Sequence, residues 1–180
     1  MRRRREARLK KGYVQVYTGE GKGKTTAALG LAVRAAGAGL RVFIGQFMKG
    51  RPCSEHAALK RFDDLIELHQ YGEPHFVCGA PSAADRGNAR KGFDELVNAV
   101  KSGRYDLVVM EEINSAVHHG LLPLDPVLEL LRTRPESVEL VLTGRHAAPE
   151  LIEGADLVTE MREIKHYYRQ GVQARSGIEK

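Results

Sequence analysis

The stretch Thr18-Gly19-Glu20-Gly21-Lys22-Gly23-Lys24-Thr25-Thr26 restricts this chain more than any other. Before it, Tyr13, Val14, Val16 and Tyr17 supply the β-branched and aromatic side chains of a strand; after it, Ala27, Ala28, Leu29, Leu31, Ala32 and Val33 read as a buried helix. Glycines between a strand and a helix let the backbone take positive φ and approach an anion closely, so that successive N–H groups converge on phosphate oxygens. The helix N-terminus adds its dipole. In such a loop Lys24 places its ammonium on the outer phosphates and the Thr25 hydroxyl completes the shell of a magnesium ion. The fit to G-x-x-x-x-G-K-[ST] is offset, because Thr18 stands where the first glycine belongs and Gly19 follows one place late.

Downstream of the loop, strand and helix patterns alternate. Gly37 and Gly39 stop the first helix, and residues 41–47 read as a largely apolar strand ending at the polar turn Met48-Lys49-Gly50-Arg51-Pro52. A short helix over 55–62 and a weaker strand over 65–69 precede an irregular stretch from Gln70 to Pro81, with exposed-looking Tyr71, His75, Phe76 and Val77. Ser82 and Asp85 form a capping box for a helix whose apolar stripe runs through Ala89, Phe93, Leu96, Val97 and Val100. Residues 105–110 rise as a central strand ending in Glu111-Glu112. Asp125-Pro126 reads as an N-cap followed by proline at the first helical position, residues 138–143 as a strand ending at Gly144-Arg145-His146, Pro149 as a helix start, and 156–161 as the last strand. The expected fold is α/β, P-loop NTPase-like (RecA-like), with a mostly parallel sheet, helices on both faces and the ligand at the carboxyl edge of the strands. One domain spanning 12–180 behind a basic flexible tail, 1–11, accounts for 180 residues; a chain of this size buries roughly 70% of its unfolded surface.

An apolar strand ending in a carboxylate, downstream of a phosphate loop, is how P-loop proteins hold magnesium directly or through water. One of Glu111 and Glu112 takes that role. Lys49 and Arg145 follow strand ends on the same edge, where the Arg145 fork suits a phosphate. The net charge of +5 invites a nucleic-acid reading, but seven of the 28 Lys/Arg and only one of the 23 Asp/Glu lie in the first 11 residues. The basicity is a tail, more often solvated than nucleic-acid-binding, and the rest is nearly neutral. The tail lacks the apolar core of a secretory signal, and no apolar run reaches the roughly 18 residues a membrane span needs. Cys53 and Cys78, far apart and outside any CxxC, read as reduced thiols of a cytoplasmic protein; neither Cys53-x-x-His56 nor His118-His119 has the ligand spacing of a structural zinc site. These residues alone leave open an ATPase or kinase acting by phosphoryl transfer, and a nucleotide-gated binding module using the arginine tail.

Further elements occur in order: Gln46-Phe47-x-Lys49-Gly50, the Glu111-Glu112 strand end, Arg134-Pro135, Leu142-Thr143-Gly144-Arg145, Ile164-Lys165-His166 and Gly171-Val172-Gln173-Ala174. With the loop, they make the chain resemble the P-loop family of ATP:corrinoid adenosyltransferases from about Gly12 to Glu179. The resemblance implies transfer of the 5′-adenosyl group of ATP to the Co(I) centre of a reduced corrinoid, with tripolyphosphate leaving whole. It also implies a nucleotide reversed relative to ordinary P-loop proteins, its γ-phosphate on the loop amides, which accounts for the offset glycine. On that match Gly19, Glu20, Gly21, Lys22, Gly23, Lys24, Thr25, Thr26 and Arg34 form the nucleotide site, Thr25 and Glu112 hold Mg2+, and Lys24, Phe76 and Arg145 take catalytic roles. Phe76 falls at the first loop position where the family uses a bulky apolar side chain to displace the lower axial ligand of cobalt; Cys78 stands where many members have tryptophan. The implied partners are ATP, a corrinoid, an electron-donor protein such as a flavoprotein, and a second copy in a homodimer.

Overall fold

The computed structural model describes residues 8–73 and 80–179. Six strands, β1 (Val14–Thr18), β2 (Val42–Phe47), β3 (Ile66–Tyr71), β4 (Leu107–Glu111), β5 (Glu139–Thr143) and β6 (Leu157–Glu160), form one parallel sheet in the order β3-β2-β4-β5-β1-β6. The helices are α1 (Lys24–Gly37), α2 (Ser54–Leu59), α3 (Ala83–Lys101), α4 (Ile113–His118), α5 (Leu124–Thr133) and α6 (Pro149–Glu153). A parallel sheet needs helical crossovers that cover both faces, so its central strands carry apolar residues on both sides. Every residue of β2 and β4 is accordingly buried.

Alternation along the strands divides the core. Phe43 and Phe47 of β2, Val108 and Met110 of β4, and Leu140 and Leu142 of β5 face α3 to α6, meeting Phe93, Leu96, Ile113, Leu130 and Leu151. Val42, Ile44, Leu107, Val109 and Val141 face α1 and α2 and meet Ala28, Ala32, Ala36 and Leu59. The same period of two carries Gln46, Glu111 and Thr143 onto the α1 face, one step beyond the apolar residues. All three are fully buried polar side chains at the carboxyl ends of their strands. Because β2 lies beyond β5 and β4 in the sheet, α1 crosses both strands as it runs from β1 to β2. Its first turn is thereby brought over the end of β4.

Local predictions meet the structure with a few corrections. Ser82 and Asp85 cap α3 reciprocally: Asp85 N–H donates to Ser82 Oγ (3.1 Å) and Ser82 N–H to Asp85 Oδ2 (2.9 Å). β3 is longer than expected and ends at Tyr71, a residue 8% exposed whose ring centroid lies 5.6 Å from that of Phe47; Gln70 and Tyr71 thus belong to the sheet, not to the irregular stretch. Helix α5 starts at Leu124, so Asp125 and Pro126 lie inside its first turn, where the missing proline N–H would have no intrahelical partner in any case. Helix α4 has no counterpart among the sequence expectations. It begins one residue after β4, across the left-handed Glu112 (φ 60°). Among the described residues no helix is long and apolar enough to cross a membrane.

Candidate functional site

The loop between β1 and α1 is built on the chain that follows β6. Thr18 still belongs to β1, where its carbonyl accepts from Met161 N (2.8 Å) and its Oγ1 from Ala147 N (3.3 Å). Gly21 N–H then donates to Met161 O at 2.6 Å. A Cβ on Gly21 would stand 2.7 Å from that oxygen and 2.8 Å from the Arg162 carbonyl carbon, so this glycine is required by the backbone passing beneath it. Gly23 caps α1 at φ 120°, a conformation in which any Cβ is strained. Lys24 turns back into the loop and donates to Gly19 O (2.6 Å) and Gly21 O (2.7 Å). Burial pushes its ammonium pKa down, against the upward pull of Glu112.

Thr25, in the first turn of α1, donates its hydroxyl proton to Glu111 Oε1. Glu111 is wholly buried at the end of β4; Lys49 Nζ lies 3.3 Å from both of its oxygens, yet Oε2 has no hydrogen-bond partner. Burial drives its pKa up to about 7, with Lys49 opposing and Glu112 reinforcing. For Lys49 burial acts downward, but Glu111 and Glu55 outweigh it and the ammonium is stabilised. Glu112 faces the other way. Its carboxylate accepts from Ser115 Oγ (2.5 Å), its N–H donates to Thr143 Oγ1 (3.0 Å), and Ser115 Oγ in turn accepts from Arg145 N (3.1 Å). The Arg145 side chain reaches Glu20 on the loop (Nε–Oε2 3.3 Å), with His146 Nδ1 3.7 Å from the same carboxylate.

The strand ends thus bring Lys24, Thr25, Glu111, Glu112, Arg145 and Glu20 to one edge. The contact of Thr25 is with Glu111, whereas sequence matching pairs it with Glu112. Lys22 and Thr26 open onto a cavity of about 920 Å3 that continues along Leu29 and Val33 to Met48, Lys49, Glu55 and Leu59, and is closed at one end by residues 177–179. Lys22 Nζ donates to Ile178 O at 2.8 Å across that end. Arg34 does not join them: it is exposed in the last turn of α1, ten residues and about 15 Å of helix rise from Lys24, and outside the cavity lining. Phe76 and Cys78 lie outside the described residues. Cys53 is a free thiol, and no group of His, Cys, Asp or Glu among the described residues has the arrangement of a metal centre.

Set beside known sequences, residues 10–179 match the family described as ATP:corrinoid adenosyltransferase BtuR/CobO/CobP. The chain belongs to this family. It is 37% identical over 175 residues to the corrinoid adenosyltransferase of Pseudomonas aeruginosa, covering 97% of this chain and 86% of the relative, and 34% identical over 184 residues to that of Salmonella typhimurium, covering 97% and 88%. Among solved structures, a KaiC-like protein from Pyrococcus horikoshii OT3 superposes with a TM-score of 0.57 at 15% identity over 86% of this chain and 75% of its own, a likeness of fold.

Two parts of the site have no role assigned by the sequence patterns. Gln46 is visible there as part of a family motif but without a role, and the support given by Met161 and Arg162 beneath the loop has no local signal. Both depend on which strands become neighbours.

Proposed function

We propose that this protein transfers the 5′-adenosyl group of ATP to the cobalt of a reduced corrinoid, releasing tripolyphosphate. The observation that carries the reading is the family match along residues 10–179, which takes in every element of the loop and carboxylate site. In the step itself the Co(I) electron pair forms the Co–C5′ bond while the C5′–O pair departs with tripolyphosphate. The chain's work is to hold the leaving group. Loop N–H groups of residues 19–25 other than Gly21, whose N–H is held by Met161, and the Lys24 ammonium bind it, Lys24 exchanging the Gly19 and Gly21 carbonyls for phosphate oxygens. Arg145, leaving Glu20, adds a forked donor at the end of β5.

The oxygen donors at the end of β4 suit magnesium: a hydroxyl, a buried carboxylate, and one carboxylate oxygen with no hydrogen-bond partner. Thr25 and Glu111 would hold the ion, and Glu112, tied to Ser115, would stand in the next layer. Bound there, magnesium would neutralise charge on the triphosphate. Cytoplasmic location, a homodimer and a flavoprotein electron donor complete the proposal on family grounds, with Phe76 clearing the lower face of cobalt.

Incubation with Mg-ATP and a chemically reduced corrinoid is expected to yield a light-sensitive adenosylcorrinoid and tripolyphosphate in equal amounts. ADP and phosphate without a corrinoid product would overturn the reading in favour of a P-loop ATPase. Phe76→Ala is expected to slow Co(II) reduction while ATP binding is retained, and normal reduction would remove Phe76 from the mechanism. Light scattering of the purified chain decides between monomer and dimer.

A further inference from the structure

Gln46, at the end of β2, is fully buried and its amide nitrogen has no hydrogen-bond partner. The direction of that amide follows from a chain of donors. The backbone N–H of Cys53 can only donate, and it donates to His56 Nδ1 at 2.9 Å. The ring proton of a neutral His56 must then sit on Nε2. Burial holds the His56 pKa below its ordinary value, consistent with a neutral ring. Nε2 lies 2.7 Å from Gln46 Oε1, so that oxygen is the acceptor; it also accepts from Gln70 Nε2 at 3.3 Å. Two donors on Oε1 leave the Gln46 Nε2 protons unused in the interior. An unpaired buried amide donor costs about 1–3 kcal/mol, and it calls for an acceptor in the working state.

The neighbouring strand indicates where that acceptor stands. Gln46 is the register partner of Glu111 in the β2–β4 ladder, so both side chains project from the same face of the sheet. Glu111 Oε2 likewise has no hydrogen-bond partner, its nearest charge being the Lys49 ammonium at 3.3 Å. Thr25 and Lys49, which both contact Glu111, line the cavity, so a donor and a carboxylate oxygen without hydrogen-bond partners lie directly behind its wall, an arrangement suited to a ligand with both a cation and an anionic oxygen.

We infer that Gln46 donates to an oxygen of the bound magnesium–triphosphate beside Glu111, and that His56, which touches no ligand, is a positioning residue that fixes the Gln46 amide with its donor toward that oxygen. The inference rests on the proposed function only in taking Mg-ATP as the occupant of the loop.

The test is calorimetric titration of the full-length protein with ATP and with tripolyphosphate, each with and without Mg2+, alongside the melting temperature of the ligand-free protein. His56→Leu removes the donor that orients Gln46, Gln46→Leu removes the amide, and His56→Gln supplies a replacement donor on a flexible side chain. His56→Leu and Gln46→Leu are each expected to raise the Kd for both magnesium complexes about tenfold, the loss of one hydrogen bond to a charged group. His56→Gln is expected to stay within about threefold of wild type. The double variant His56→Leu/Gln46→Leu is expected to bind no worse than Gln46→Leu alone, because His56 acts through Gln46. A purely structural His56 would lower the melting temperature and leave Kd unchanged. Wild-type Kd in His56→Leu, equal losses in His56→Leu and His56→Gln, or penalties that multiply in the double variant would each overturn the inference. Failure of the wild type to bind Mg-ATP or Mg-tripolyphosphate would overturn it together with the proposed function, whereas binding without adenosyl transfer would strike the function alone.

Discussion

The two halves of the ligand edge handle their polar groups differently. On the β1 side the loop's side chains have partners without a ligand: Lys24 donates to Gly19 and Gly21, Glu20 pairs with Arg145, and Gly21 N–H is held by Met161. On the β2–β4 side Glu111 is buried with one oxygen that has no hydrogen bond and only the Lys49 ammonium beside it, and the Gln46 amide nitrogen has no hydrogen-bond partner. The first half is a preformed mould, anchored to Met161, in which a phosphate can replace the carbonyl contacts of Lys24 and the Glu20 contact of Arg145. The second stores the cost of burying polar groups that only a ligand relieves. Replacing residues in the mould should therefore affect binding and turnover through lost contacts with the triphosphate, while replacing residues in the second half should alter the stability of the empty protein as well.

The largest expected effect is that of Lys24→Ala. Removing the ammonium takes away the charge that follows the leaving triphosphate, and kcat/KM for ATP is expected to fall at least about 100-fold, the scale of one lost transition-state donor. Stability is expected to change by only about 1 kcal/mol, because the bonds lost are to the loop's own carbonyls. Steady-state kinetics and a urea melt measure both. A variant that no longer folds would show that the mould depends on Lys24 for its shape.

Next comes the pH dependence of the metal-free protein. Glu111 holds its proton to about pH 7 in the folded state, whereas an unfolded glutamate releases it near about 4.3. Between these values the folded state binds more protons, so stability falls as pH rises through that window and levels off above it, by at most about 4 kcal/mol. Urea melts in EDTA from pH 5 to 8 are expected to show this slope. Glu111→Gln is expected to flatten it, while weakening Mg-ATP binding. An unchanged slope would place the stored cost elsewhere than Glu111.

How far the site can be read from the sequence follows the same division. The mould is local in sequence: nine consecutive residues between a strand and a helix announce it, and alternation of apolar segments announces the parallel sheet around it. The carboxylate half depends on which strands become neighbours. Nothing near residue 111 says that β2 will lie beside β4 in the register Gln46↔Glu111, or that α1 will cross β5 to bring Thr25 to Glu111 and not to Glu112. The left-handed turn at Glu112 and the helix α4 after it decide which of two adjacent glutamates faces inward. Neither has a composition signal. The loop's floor at Met161 and Arg162 is hidden for the same reason: only the pairing of β1 with β6 puts it there.

That floor gives the third prediction. Gly21→Ala places a Cβ against backbone atoms that cannot yield cheaply, and a loss of about 1–3 kcal/mol is expected. Gly87→Ala is the control. It lies in the interior of α3, where an added methyl group would meet nothing within 4 Å, and it is expected to gain about 0.5–1 kcal/mol. Equal effects of the two substitutions would mean that the loop does not rest on Met161.

The smallest effect separates holding the loop from binding the ligand. Glu20 lies in the stretch proposed to bind phosphate, yet a carboxylate repels phosphate, and its contacts are with the exposed Arg145 at 3.3 Å and His146 at 3.7 Å. A solvent-exposed pair of this kind is worth about 0.2–1 kcal/mol at low salt, so Glu20→Ala is expected to change stability by less than about 0.5 kcal/mol. Its consequence for the ligand has the opposite sign. Arg145 no longer has to leave a partner, and one negative charge beside the triphosphate is gone, so tripolyphosphate is expected to bind about two- to fivefold more tightly at low ionic strength. The gain should shrink as salt rises toward about 0.5 M, because exposed charges are screened over about 10 Å at 0.1 M and less above it. Calorimetric titration at two salt concentrations measures it. Weaker binding in Glu20→Ala would mean that the carboxylate holds Arg145 in its working position, and the loop half would then owe part of its preformed shape to a side-chain pair on its surface as well as to its backbone.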